Sequence, residues 1–324
     1  MRLVFLIIFL ISTETFASKD LIHNYVFFGR NRERITEKGF LETLRLEGAQ
    51  LMYAWKELEF KENQYDFKVI RKDLNYLKSK GKKLFIQLQD TTFDPSQIAV
   101  PKYLLNNLKY NGGVVYQYDD KGKPAGQVAM RWNLKVRDRF KKLLLALGKE
   151  FDGKIEGINL QETAIGVKVT KGFSYKGYRD SILSLMDGLK EAFPKSTTMV
   201  YANFMPGEWL PENDQSFLRS IYQYGAKIGV GIGSPDLMPD KPSQKKHAYK
   251  FMNELNGSNT FGIAVQDGNY TGATGKDIKP SAPWPNIVPN LYDFAKNYLK
   301  VSYIFWAAQE PFFSHDVVPF FNKN

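Results

Sequence analysis

The chain contains no cysteine. Disulfides and thiolate chemistry are therefore excluded, and the fold must be held by its core alone. Histidine is scarce as well: His23, His247 and His315 are the three, and their spacing offers no metal-ligand set, so no metal site is expected. No GxSxG elbow, P-loop or dinucleotide fingerprint occurs, which sets aside nucleotide-binding folds and elbow-type serine hydrolases. No cofactor is expected. Repeats and low-complexity tracts are absent, and no apolar stretch beyond the N-terminal one could cross a bilayer. No nucleic-acid-binding module is recognisable, so nucleic acid is not expected as a partner.

What is present begins with MRLVFLIIFLISTETFASKD. Arg2 supplies a positive end, Leu3 to Ile11 an apolar run too short to span, and Ala17 a small residue for cleavage. This is the layout of a secretory signal peptide over 1–17, which leaves 18–324 as an exported chain, secreted or periplasmic, with no stable membrane insertion after cleavage. Cleavage would remove one arginine and one glutamate, so the formal net charge of +11 is unchanged. The basic residues are scattered, as in RKDLNYLKSKGKK and RDRFKK. They read as solvated helix faces or as an attraction to an anionic polysaccharide or cell-wall glycan.

At 324 residues and 43% hydrophobic, the chain can build one large α/β domain or two small ones. Short apolar runs at 25–29, 50–55, 83–89, 155–161, 197–204, 227–233, 260–266 and 301–308 alternate with helical patterns. The helical patterns lie near 35–47, 67–80, 133–150, 175–193, 213–225, 244–255 and 287–300. Strands alternating with helices, and lacking a polar face of their own, predict a parallel sheet covered by helices. Eight such units favour a single-domain (β/α)8 TIM barrel over an open sheet. The tail PFFSHDVVPFFNKN leaves room for only a short or broken last helix.

In a barrel the segments that follow the strands build the face that carries the site. Here the apolar runs end in Trp55, Gln89 and Asp90, Gln161 and Glu162, Asn203, Ser234 and Asp236, Gln266 and Asp267, and Trp306 with Glu310. Amides and carboxylates hydrogen-bond sugar hydroxyls, and tryptophan faces stack on pyranose rings. A ring of such residues therefore predicts a carbohydrate cleft. Trp209 and Trp284, in loops beyond strands, are further stacking candidates, and Arg131 is a candidate for holding an acidic sugar.

The stretch YAWKELEFKENQYDFKVIRKDLNYLKSKGKKLFIQL resembles the second-strand region of cellulase-like and β-galactosidase-like glycoside hydrolases of the large retaining (β/α)8 superfamily. The likeness rests on Trp55, Glu59, Tyr65-Asp66-Phe67 and Gly81-Lys82. It implies a general acid/base at the end of the fourth strand, where Glu162 stands. It also implies a nucleophile at the end of the seventh strand, where the chain reads Gln266-Asp267-Gly268. Two departures follow: Gln161 replaces the Asn usual before the acid, and Asp267 replaces a Glu.

Glycoside hydrolysis needs one carboxyl group to protonate the leaving oxygen and another to attack or to activate water. Glu162 with Asp267 predicts retention, whereas Glu162 with Glu310, across the barrel, leans to inversion. Strand alternation adds a constraint. Glu162 shares a face with Leu160 and Ile158, and Gln161 with Asn159, so both reach the mouth only if the strand bends. A barrel that binds glycans without cleaving them stays open as the alternative.

Overall fold

A computed structural model of the chain describes residues 22–168, 172–274 and 287–323; the signal segment 1–17 and Trp284 lie outside them. The apolar runs form eight strands: β1 (His23–Gly29), β2 (Gly48–Ala54), β3 (Lys83–Gln89), β4 (Gly157–Leu160), β5 (Thr197–Tyr201), β6 (Gly231–Ser234), β7 (Phe261–Val265) and β8 (Tyr303–Ala307). Each pairs in parallel with its neighbours in chain order, and β8 pairs with β1, closing a barrel. Helices lie between the strands, so the fold is the (β/α)8 barrel that the alternation predicts.

Side-chain alternation divides the core in two. Outward residues such as Leu51, Ile86, Ile158 and Ile304 join the helices in one large cluster. Inward residues Tyr25, Phe85, Met199, Tyr201, Ala264, Tyr303 and Phe305 form a second cluster, which fills the barrel itself. Glycines on β6 and β7 make room for this filling. A Cβ at Gly233 would come within 2.6 Å of the Tyr201 ring, and one at Gly262 within 2.6 Å of Met199 Cε. Above the aromatic layer, the Gln50 amide donates to Asn159 Oδ1 at 2.9 Å and to the Tyr201 hydroxyl at 3.0 Å.

The end of the barrel where the strands begin is closed by an ionic cluster. His23 Nδ1 lies 2.8 Å from Glu47 Oε1, and Lys83 Nζ lies 3.3 Å from Glu47 and 3.1 Å from Glu156. The Tyr303 hydroxyl donates to Glu156 at 2.9 Å. The hydrogen bond to Glu47 raises the His23 pKa above its ordinary 6.5. Burial alone would raise Glu47, but His23 and Lys83 outweigh it and hold its carboxyl below 4.5.

The helices follow the predicted segments closely, with Lys68–Ser79, Leu134–Phe151, Tyr175–Ala192 and Phe217–Ile228 as the longest. The one after β1 does not. Instead of a helix over 35–47 there is a 3-10 turn at Arg32–Thr36 and a single α turn at Lys38–Glu42. The buried Lys82 ammonium donates to the carbonyls of Thr43 and Leu46 at 2.8 and 2.7 Å, holding the chain in an extended turn there. The last helix is short and changes from wider π-type spacing at Phe313–Val317 to α spacing at Val318–Lys323. No helix among the described residues is long and apolar enough to cross a membrane.

Candidate active site

The segment after β3 is long. It carries an antiparallel hairpin, Val114–Tyr118 with Pro124–Ala129, and then Arg131. Arg131 and Asp90 are both buried and form a two-pronged ion pair, Nε to Oδ2 at 2.7 Å and Nη2 to Oδ1 at 2.6 Å. The same guanidinium donates to the Tyr178 hydroxyl at 3.0 Å and to the backbone carbonyl of Glu162 at 3.1 Å. Arg131 and Asp90 therefore hold the turn that carries Glu162. They are not presented to a sugar, which corrects the expectation of an acidic-sugar contact: both charges are spent on each other.

Regular strand geometry in β4 stops at Leu160. Gln161 Oε1 then accepts the Thr91 amide at 2.9 Å, and the Thr163 amide and hydroxyl bond to the carbonyls of Tyr201 and Phe204 at 2.9 and 2.7 Å. The chain is thus bent by hydrogen bonds from three directions. Gln161 and Glu162, which alternation would send to opposite faces, both line one cavity.

That cavity has a volume of about 690 Å³ and opens where the strands end; β1, β2, β3 and β5 contribute to its wall directly, and β4, β6, β7 and β8 through the residues that follow them. The buried Tyr201 and Gln87 line it, Gln89, Gln161 and Gln266 supply amides, and Phe27, Phe28 and Phe93 supply aromatic faces. Four carboxyl groups line it: Asp94, Glu162, Asp236 and Asp267. Arg30 also lines it and donates to Gln89 Oε1 at 2.5 Å.

Glu162 is half-buried, and its Oε2 accepts from the Asn203 amide at 2.7 Å. Burial, then the negative charge of Asp236, push its pKa up to about 7, against the opposing pull of Asn203 and Arg131. Asp236 stands just beyond β6. Burial raises its pKa too, while the hydrogen bond from Asn269 and the charge of Lys241 act against the shift. The pocket thus contains a carboxyl group that keeps its proton close to neutrality next to other carboxyl groups, the arrangement from which acid/base pairs are made.

Of the residues predicted at strand ends, the fold brings Gln89, Gln161, Glu162, Asp236, Gln266 and Asp267 to the cavity wall, with Asn203 one hydrogen bond behind. It does not bring Glu310. That side chain is exposed, lies 3.2 Å from Arg34, and accepts from the Ser314 amide and hydroxyl at 3.2 and 2.8 Å, pinning the start of the last helix. Trp55 and Trp306 are fully buried and cannot stack on a sugar. Trp55 opens the helical turn after β2 and Trp306 lies on the outward face of β8, and their indoles donate to Glu59 at 2.8 Å and Asn24 at 3.0 Å. Trp209 is 51% exposed and stacks on Phe204 at 5.7 Å. The sequence reading placed Asp236 at a strand end without giving it a role, and Phe93 and Asp94 were not singled out. Asp236 is legible as the first acid after the run KIGVGIG. Among the described residues no cluster of His, Cys, Asp and Glu could hold a metal ion.

No protein-family model matches the chain, and no curated protein matches its sequence. Among solved structures it is similar to a mutant xylanase A of P fluorescens subsp. cellulosa in complex with xylopentaose. The TM-score is 0.55 and the identity 12%, over 90% of this chain and 87% of that one. It is also similar to a GH10 protein from Paenibacillus barcinonensis, with a TM-score of 0.51 and 12% identity, over 89% and 85% of the two chains. At that identity the likeness shows a shared barrel fold. One is a xylanase and the other a GH10 protein, so they support the barrel and not the cellulase-like or β-galactosidase-like kind that the second-strand region resembles.

Proposed function

We propose that the chain is an exported glycoside hydrolase acting on a polysaccharide or oligosaccharide, with residues 1–17 removed as its signal peptide and 18–324 forming the barrel. The observation that carries this reading is Glu162: a carboxyl group at the end of β4, with its pKa pushed up to about 7, on the wall of a 690 Å³ cavity that holds further carboxyl groups. A proton held at that pH can be given to a leaving glycosidic oxygen. The amides of Gln89, Gln161 and Gln266 suit sugar hydroxyls, and the aromatic faces of Phe27 and Phe93 suit pyranose rings. The fold shared with a xylanase that binds xylopentaose supports a carbohydrate substrate.

The sequence nominates Asp267 as the second carboxylate, and it lines the cavity. Trp209, in the loop after β5, and Trp284, outside the described residues, are proposed as platforms for more distant sugars. The charge of +11 suits work on an acidic polysaccharide or cell-wall matrix.

A second reading, a barrel that binds glycans without cleaving them, draws on the two departures from the resembling superfamily: Gln161 stands where an Asn is usual, and Asp267 where a Glu is. One screen separates the two. Xylan, β-glucans, acidic polysaccharides and peptidoglycan are incubated with the parent chain and with Glu162→Gln, and new reducing ends are counted alongside binding by calorimetry. The hydrolase reading expects cleavage by the parent, and loss of cleavage with retained binding in the variant. Binding without cleavage by either would leave the second reading in its place.

A further inference from the structure

Four carboxyl groups line the cavity, and the reading above leaves open which of them works with Glu162. Each is held differently. Asp94 is tied to its own loop through Ser96, whose amide and hydroxyl it accepts at 2.9 and 2.7 Å. Asp267 sits between Gln266 and Gly268, and its charge bears on the phenol of Tyr270 behind the wall. Asp236 is fixed at both its backbone and its side chain. Its carbonyl accepts the Tyr249 hydroxyl at 2.6 Å, and that hydroxyl takes the Met238 amide at 2.8 Å.

The Asp236 carboxylate is held by Asn269, a buried residue of the loop after β7. The Asn269 amide nitrogen donates to Asp236 Oδ1 at 3.1 Å and to the Ala273 carbonyl at 3.0 Å. Its amide oxygen accepts the backbone amides of Gln266 at 2.8 Å and Leu237 at 3.2 Å. One side chain therefore locks the loops after β6 and β7 together and fixes one oxygen of Asp236.

We propose that Asp236, not Asp267, is the partner carboxylate of Glu162. The inference rests on the glycosidase reading and assigns its second acid to the end of β6. Both groups line the same cavity, and both are fixed from behind, Glu162 by Asn203 and Arg131, Asp236 by Asn269 and Tyr249. The charged groups facing Glu162 are Asp236 and Arg131, the latter neutralised by Asp90; the one facing Asp236 from its own loop is Lys241. The negative charge of Asp236 works against ionisation of Glu162, which favours the proton's staying on Glu162.

In the reaction, Glu162 gives its proton to the glycosidic oxygen as the bond from that oxygen to C1 breaks. Asp236 supplies the electron pair in one of two balanced ways. It bonds to C1 directly, and the ester is then hydrolysed by a water whose proton goes to Glu162. Otherwise it takes a proton from a water that bonds to C1 in the same step.

Two measurements test this. The first needs no substrate: the titration of Glu162 is followed by NMR on carboxyl-labelled glutamate, with Glu162→Gln identifying its signal. The expected result is a fall of about one unit in the Glu162 midpoint in Asp236→Asn and a smaller change in Asp267→Asn. An unmoved midpoint in Asp236→Asn, or a larger fall in Asp267→Asn, overturns the pairing. If Asp236→Asn folds poorly, Asn269→Ala, which frees the carboxylate from its clamp, gives the same reading in milder form.

The second measurement is turnover of an aryl glycoside or glycan that the parent cleaves. In Asp236→Asn kcat should fall about a thousandfold, and in Asp267→Asn at least tenfold less than that. Added azide should restore turnover to Asp236→Ala, with a glycosyl azide as product, but not to Asp267→Ala. The reverse ranking, or rescue of the Asp267 variant alone, overturns the assignment. A parent that cleaves no glycoside while Glu162 still responds to Asp236 refutes the glycosidase reading and leaves the pair standing.

Discussion

The two ends of the barrel use the same side chains to opposite effect. Where the strands begin, Glu47 and Glu156 face His23, Lys83 and the Tyr303 hydroxyl, and Glu47 is held below its ordinary pKa. Where they end, Glu162 faces Asp236, and its pKa is pushed up to about 7. Burial acts in the same direction on Glu47 and Glu162. What differs is the sign of the neighbour. A buried acid matched with cations is structural, whereas one left beside another acid carries a proton it can give away. At the rim, the Arg131 guanidinium that bears on Glu162 is already claimed by Asp90.

The largest effect that would break this contrast is on Arg131. Arg131→Ala strands the buried Asp90 carboxylate and should cost about 3–5 kcal/mol of stability, read from denaturant unfolding. The loss should shrink in Asp90→Asn/Arg131→Met, because no charge is then left alone.

Next comes the acid itself. The folded state raises the Glu162 pKa from 4.5 to about 7. Its contribution to stability is therefore complete below 4.5 and gone as pH rises through 7. Glu162→Gln, which cannot ionise, should gain on the order of 2 kcal/mol over the parent on passing from acid to mildly alkaline buffer, measured as unfolding midpoints across pH.

The cluster at the other end should behave in the opposite sense at a smaller scale. Glu47 is depressed and His23 raised, so their mutual stabilisation is full between about 4.5 and 6.5. It fades as pH falls through the lowered Glu47 value or rises through the raised His23 value. Both side chains are partly exposed, so Glu47→Gln should cost only about 0.5–1 kcal/mol in that window and leave turnover unchanged. The smallest effect belongs to Trp209. Trp209→Ala should cost less than about 1 kcal/mol of stability, while weakening glycan binding up to about tenfold in calorimetry.

The strand and helix rhythm was legible because buried parallel strands are continuous apolar runs, and eight of them can be counted. The first helix was not. Its sequence looks helical, but the competing bond from Lys82 to Thr43 and Leu46 comes from the next unit of the barrel and has no local signature. Several of the strand ends do converge on one cavity, but not every residue named there reaches it. Trp306 could have been excluded by counting, since Tyr303 and Phe305 are the inward residues of β8 and Trp306 falls between them. Glu310 lay beyond any such count, because only the packing of the last helix shows that its carboxylate serves Arg34 and Ser314. Asp236 was visible as a letter, but its clamp joins residues 33 apart in the chain.

Between the two charged ends sits the filling of Tyr25, Phe85, Met199 and Phe305, all fully buried. That layer is an electrical partition. Burial raises the pKa of the Tyr25 phenol in this layer and keeps it neutral, so protonation below should reach the acidity above only weakly. Drift in sequence at the closed end could then retune the tolerance of the molecule to acid or salt while the chemistry at the open end runs at its own fixed pH.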